Sequence, residues 1–187
     1  MDKKVLIWSL IVAAVLFSVT IVLGIIAPLD TFLAMWPELG ELLGPLWTAS
    51  PLFPLLLIFL NNAIKSAGVI ALGILLGLPP VLFIGVNGFV LGAVISWIES
   101  LEGLEYAVAS LAPHGVIEIP MLLLATALSF TVGWESLKWA RRKESRIKSQ
   151  LSNSLKLYLK VVLPGLAVAA VIEVFITPWL AGLVGNG

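Results

Sequence analysis

The sequence predicts an all-α, polytopic transmembrane helical bundle of five spans, and three observations carry that prediction. Of 187 residues, 60% are hydrophobic and 12% charged, whereas a soluble domain carries about 25% charged residues. The mean hydropathy of +1.09 makes lipid the predicted solvent. Five apolar runs approach the length of about 20 helical residues that a hydrocarbon core demands. The charges, finally, are segregated: the basic residues are Lys3, Lys4, Lys65 and a block from Lys138 to Lys160.

The spans are expected at Val5–Ile26, Leu52–Gly77, Val81–Trp97, Gly115–Trp134 and Leu159–Val184 of one membrane domain, residues 1–187. The first run is too long for a signal-peptide core and is read as a retained span. The second carries Asn61, Asn62 and Lys65, and Pro79-Pro80 is expected to end it, because proline lacks a backbone donor and clashes with the preceding turn. Spans two and three then form a tight hairpin, with Gly73, Gly77, Gly88 and Gly92 allowing close approach. Between spans one and two, Asp30–Ser50 mixes Trp36, Trp47 and leucines with Pro37, Pro45 and acids only. It reads as a short amphipathic segment in the interface, where tryptophan prefers to sit.

Orientation follows from the loops, since basic residues near spans are retained in the cytoplasm. Lys3 and Lys4 place the amino end inside. The loops after spans one and three hold Asp30, Glu38 and Glu41, and Glu99, Glu102 and Glu105, without a basic residue. Both are expected outside. The block at 138–158 is therefore cytoplasmic, and the carboxyl end lies outside the cell membrane. Within it Arg141, Arg142, Lys143, Arg146 and Lys148 are placed to contact anionic lipid headgroups, worth about 1 kcal/mol per basic residue near the surface.

Polar groups at membrane depth are expensive and call for a partner or a role. The candidates are Asn61, Asn62, Lys65, Asn87, His114, Glu118 and Glu173. On a rise of about 1.5 Å per residue, Glu118 lies roughly 7 Å, Glu173 roughly 12 Å and Asn61 roughly 14 Å below the outer surface. Lys65, roughly 20 Å down, shares an inner level with Asn87. An outer layer of Glu118, Glu173 and Asn61 and an inner one of Lys65 and Asn87 are expected, with Asn61, Lys65, Gly68 and Leu72 facing the bundle interior. Span one, with no deep polar group beyond Ser9, Ser18 and Thr20, is expected at the periphery.

Three roles fit such groups: mutual satisfaction between helices, a cavity for an ion or small polar molecule, or a metal site. His114 and Glu118 stand at i, i+4 and are able to share a metal with Glu173. No other cofactor is expected. The chain has no cysteine, which removes disulfides, thiolate nucleophiles and cysteine metal sites. Neither HExxH nor GxSxG occurs, which argues against an enzyme. The expected partners are membrane lipids and proteins, including further copies of the chain, and not nucleic acid.

The strings Asn61-Asn62, Gly73-Ile-Leu-Leu-Gly77-Leu-Pro79-Pro80, Asn87-Gly88 with Leu91-Gly92, Pro113-His114-Gly115-Val-Ile-Glu118-Ile-Pro120, Ile172-Glu173 and Thr177-Pro178 resemble the stage II sporulation protein M family of integral membrane proteins. Pro-His-Gly-x-x-Glu is the most specific of them. The resemblance implies a compact multi-helix membrane protein. In sporulating bacteria it implies a role in the membrane complex that brings peptidoglycan hydrolases to the engulfing septum. On that footing the chain is expected to be a non-enzymatic organiser of a membrane complex. A transporter or channel and a metal-dependent intramembrane enzyme are the alternatives.

Overall fold

The structure, a computed structural model, describes residues 2–27 and 50–185. The interfacial segment expected at Asp30–Ser50 lies outside the described residues except for Ser50. Among the described residues five helices are long and apolar enough to cross a membrane: α1 (Lys3–Ile25), α2 (Leu52–Leu72), α3 (Leu78–Glu102), α4 (Leu104–Ala140) and α5 (Ile147–Gly185).

Local chemistry explains where they start and stop. The Asp2 side chain accepts from the Lys4 backbone N–H at 2.8 Å and caps α1, satisfying a donor that has no partner inside the helix. The chain leaves α2 at Leu72, earlier than expected, and Pro79-Pro80 opens α3 rather than closing α2. Proline fits there because N–H groups of a first turn have no intrahelical acceptor. Gly77, at φ +79°, makes the corner, a left-handed conformation that costs a side-chain-bearing residue energy. The acidic stretch expected as a loop after span three is almost wholly helical, with Gly103 alone joining α3 to α4.

α5 carries two π-type turns, Tyr158–Val162 and Ile172–Ile176. They share a cause. The Leu163 and Thr177 N–H groups reach back to the Tyr158 and Ile172 carbonyls, and each is followed by a proline, Pro164 and Pro178. The proline ring lacks a donor and crowds the carbonyl four residues earlier, which widens the turn.

α4 is the central helix, touching all four others, and its most apolar stretch is the most buried of the five. α1 packs most closely on α3, and Gly24, Gly88 and Gly92 explain why. A β-carbon at Gly88 would stand 2.8 Å from the Phe17 carbonyl oxygen, and one at Gly92 would stand 2.9 Å from the Ile21 carbonyl carbon. Pairing of position 17 with 88 and 21 with 92 makes the two helices parallel. α2 lies parallel to α4 in the same way: a β-carbon at Gly133 would be 2.7 Å from Gly77 Cα, and one at Gly73 would be 2.5 Å from the Ser129 carbonyl. These glycines therefore join α3 to α1 and α2 to α4, and the expected hairpin of spans two and three is only loosely packed. Span one, the least buried of the five, stands at the edge of the bundle as expected, but it is packed closely on α3 and α4. Small residues permit backbone contact, and contact forms where two small surfaces coincide.

Lys4, Leu76, Gly77 and Leu137 line one small cavity, so the amino end, the α2–α3 corner and the end of α4 share one face of the bundle. Tyr106 and Gly185 meet at the other. Between them, α2, α4 and α5 enclose a core of Val69, Ile70, Leu128, Tyr158, Val162 and Leu166. The Tyr158 hydroxyl donates to the Ala63 carbonyl at 2.8 Å. Tyr158→Phe should cost about 0.5–1 kcal/mol, measured by unfolding in detergent. An unchanged stability would mean that this bond adds nothing.

Candidate intramembrane polar site

The half of the bundle toward Tyr106 and Gly185 collects four of the candidate residues. His114 and Glu118 lie one turn apart on α4, and Glu173 and Thr177 lie one turn apart on the antiparallel α5. Two i, i+4 pairs thus face each other in register. One ligand atom each from His114, Glu118 and Glu173 lies within 4.8 Å of the others, and all three residues are half-buried. α2 closes the site: Asn62 Nδ2 donates to Glu118 Oε1 at 2.9 Å. On the far side His114 Nδ1 lies 3.4 Å from Thr177 Oγ1. The π turn at Ile172–Ile176 falls between Glu173 and Thr177 and sets the angle between them. Such turns recur at functional sites.

Electrostatically the site is unbalanced. Two carboxylates converge, and among the described residues the only ion pair is Lys138 with Glu135, at the other end of α4. Lys65 does not reach them. Close carboxylates in a low-dielectric interior need a proton or a cation between them. His114 and Glu118 also line an apolar cavity of about 640 Å³, bounded by α1, α3 and α4, that contains Phe17, Asn87 and Leu104 on its walls.

The other candidates lie apart from this group. Asn87 lines the same cavity, but its amide donates to the Phe83 carbonyl of its own helix at 2.7 Å. Asn61 and Lys65 are exposed on the outer face of α2, opposite the face expected. The inward stripe is Asn62, Ser66, Val69, Ile70 and Gly73. Neighbouring helical residues point about 100° apart, so Asn61 and Asn62 cannot both face α4. The small stripe Asn62, Ser66, Gly73 was the available signal, since small and polar residues mark helix contacts in membranes.

The expected inner layer of Lys65 and Asn87 is also replaced. Gln150, buried at the start of α5, donates through Nε2 to Thr131 Oγ1 at 2.7 Å and to Ser154 Oγ at 3.3 Å. In the sequence Gln150 falls within the basic loop, where nothing distinguishes it from a solvated residue. Arg141, Arg142, Lys143, Arg146 and Lys148 are exposed around the α4–α5 turn. The Arg146 backbone N–H donates to Glu135 Oε2 at 2.8 Å, and Lys138 Nζ reaches Glu135 Oε1 at 2.6 Å, so one carboxylate ties this turn.

The family model described as stage II sporulation protein M matches residues 12–178, a range that begins within α1, ends within α5 and holds every residue of the site. The chain belongs to the stage II sporulation protein M family. As a member of that family it is a multi-pass membrane protein. It is also 33% identical over 98 residues to an uncharacterised protein of Methanocaldococcus jannaschii, a match covering 51% of this chain and 54% of that relative. The chain thus spans about half the length of that curated relative. No solved structure matches it. Within this stage II sporulation protein M member, the Pro-His-Gly-x-x-Glu string is the stretch of α4 that carries the site.

Proposed function

We propose that this protein is a non-enzymatic organiser of a membrane complex, with its amino end and basic loop in the cytoplasm, and that the exposed face of α2 docks a partner span. One observation carries the proposal. Asn61 and Lys65 sit at membrane depth on the outer face of α2, and among the described residues neither has a hydrogen-bond or ion-pair partner. Polar side chains turned toward lipid are costly. Gly68, on the same face, has nothing within 4 Å of where a β-carbon would stand, which leaves room for close helix approach. A cationic Lys65 calls for a carboxylate, so the partner is a transmembrane helix with an acidic residue at that depth. The basic residues Arg141, Arg142, Lys143, Arg146 and Lys148 contact anionic headgroups and hold the complex at the inner surface. Family membership supports an organising role.

The test is photocrosslinking in native membranes from probes at Leu60, Ile64 and Gly68, with Leu82 and Val116, which are more exposed, as controls on other helices. A discrete protein adduct from the α2 positions, lost in Lys65→Met, is the expected result. Lipid adducts alone from all five positions would end the proposal.

Transport of a cation is a second function that one observation favours. Polar groups, half-buried at Glu118 and Asn62 and buried at Ser66, Ser154, Gln150 and Thr131, are spaced along α2, α4 and α5. Ser66 Oγ has no partner among the described residues. Flux into proteoliposomes that is abolished by Glu118→Gln would favour transport over docking.

A further inference from the structure

We propose that His114, Glu118 and Glu173 form a binding site for one divalent first-row transition cation, of the Zn²⁺ or Mn²⁺ class, within the membrane. The inference goes beyond the organising role and does not depend on it. The ligand set is one imidazole and two carboxylates, drawn from two helices that face each other in register. Imidazole suits zinc, and carboxylates suit harder ions such as manganese. The donor atoms lie within 4.8 Å of one another. Tetrahedral bonds of about 2.0–2.1 Å would place them about 3.3 Å apart, which side-chain rotation at half-buried positions supplies.

Charge points to the same ion. Two carboxylates and a neutral imidazole carry −2, and a dication makes the site neutral where the surroundings are apolar. Lys65, three residues along α2 from Asn62, is exposed and forms no ion pair among the described residues, and the remaining basic residues lie toward the end of the bundle that holds Lys4 and Leu137.

The outer partners also belong to a metal site. A metal-bound histidine ordinarily bonds its second ring nitrogen to an oxygen, which fixes the tautomer. Here Thr177 Oγ1 stands by His114 Nδ1, leaving Nε2 as the ligand atom. Glu118 receives Asn62 Nδ2 on Oε1, leaving Oε2 for the metal. With three protein ligands the fourth position is open. The apolar cavity beside His114 and Glu118 gives that position an access route and room for water or a partner's group.

The test uses the full chain in detergent, stripped with chelator, re-equilibrated with Zn²⁺ or Mn²⁺ alone, passed through a desalting column and analysed for metal. One ion per chain is expected for the wild type and less than a tenth of that for Glu118→Gln/Glu173→Gln. Glu105→Gln, an exposed acid on the same helix, should bind as the wild type. Asn62→Ala and Thr177→Ala keep every ligand and should weaken binding about tenfold, so the proposal stays testable if the double variant misfolds. Absence of bound metal in the wild type, or equal binding by the wild type and the Glu118 and Glu173 variants, overturns it.

Discussion

Gly92→Leu should separate α1 from α3 and lower stability by about 3 kcal/mol or more, an effect at the upper end for overpacking. The β-carbon alone would stand 2.9 Å from the Ile21 carbonyl carbon and 3.0 Å from the Ile25 nitrogen. Both are backbone atoms, so no rotamer change relieves the clash and one helix must move. Lipid tails are as apolar as leucine, so a displaced membrane helix recovers nothing by burying the new side chain and loses dispersion contacts along the whole seam. Gly68→Leu on α2, with open space around it, is the matched control and should be neutral in the isolated chain. Unfolding of both variants in detergent decides the matter. If Gly92→Leu is as stable as Gly68→Leu, the α1–α3 seam is not backbone-close.

The adjacent asparagines should respond in opposite ways. Asn62→Leu removes the donor to Glu118 Oε1 and leaves a half-buried carboxylate short of a bond, at a cost of about 1.5–3 kcal/mol for a hydrogen bond to a charged group. Asn61→Leu exchanges an exposed amide for a lipid-compatible side chain and should leave the isolated chain unchanged or firmer. Its effect should appear instead in the crosslinking from α2. Equal destabilisation by the two substitutions would mean that α2 is rotated from the orientation described.

How far the sequence reached is seen best on α2. Asn61, Lys65, Gly68 and Leu72 and the stripe Asn62, Ser66, Gly73 are both acceptable helical faces, and polarity alone does not separate them. Contact decides. Gly73 and Gly77 find Ser129 and Gly133, and Tyr158 finds the Ala63 carbonyl, which turns Asn62 inward by the 100° that turns Asn61 out. On α4 and α5 the sequence reached further. Pro-His-Gly-x-x-Glu places His114 and Glu118 one turn apart, and depth along the spans places Glu173 near them. The partners Asn62 and Thr177 complete the group only when three helices are assembled.

What the sequence determined by itself is the solvent and the number of crossings. Hydrophobic length and charge segregation are sums along the chain, and the bilayer reads them one span at a time, since each helix satisfies its own backbone. The tertiary structure decided which helix lies against which: α1 on α3, α2 on α4, with α5 facing α4 at the polar site and α2 closing it. In lipid no hydrophobic force drives helices together, so pairing depends on where small surfaces and hydrogen-bonding groups coincide in three dimensions. That coincidence is a property of pairs of helices, and neither member of a pair carries it alone.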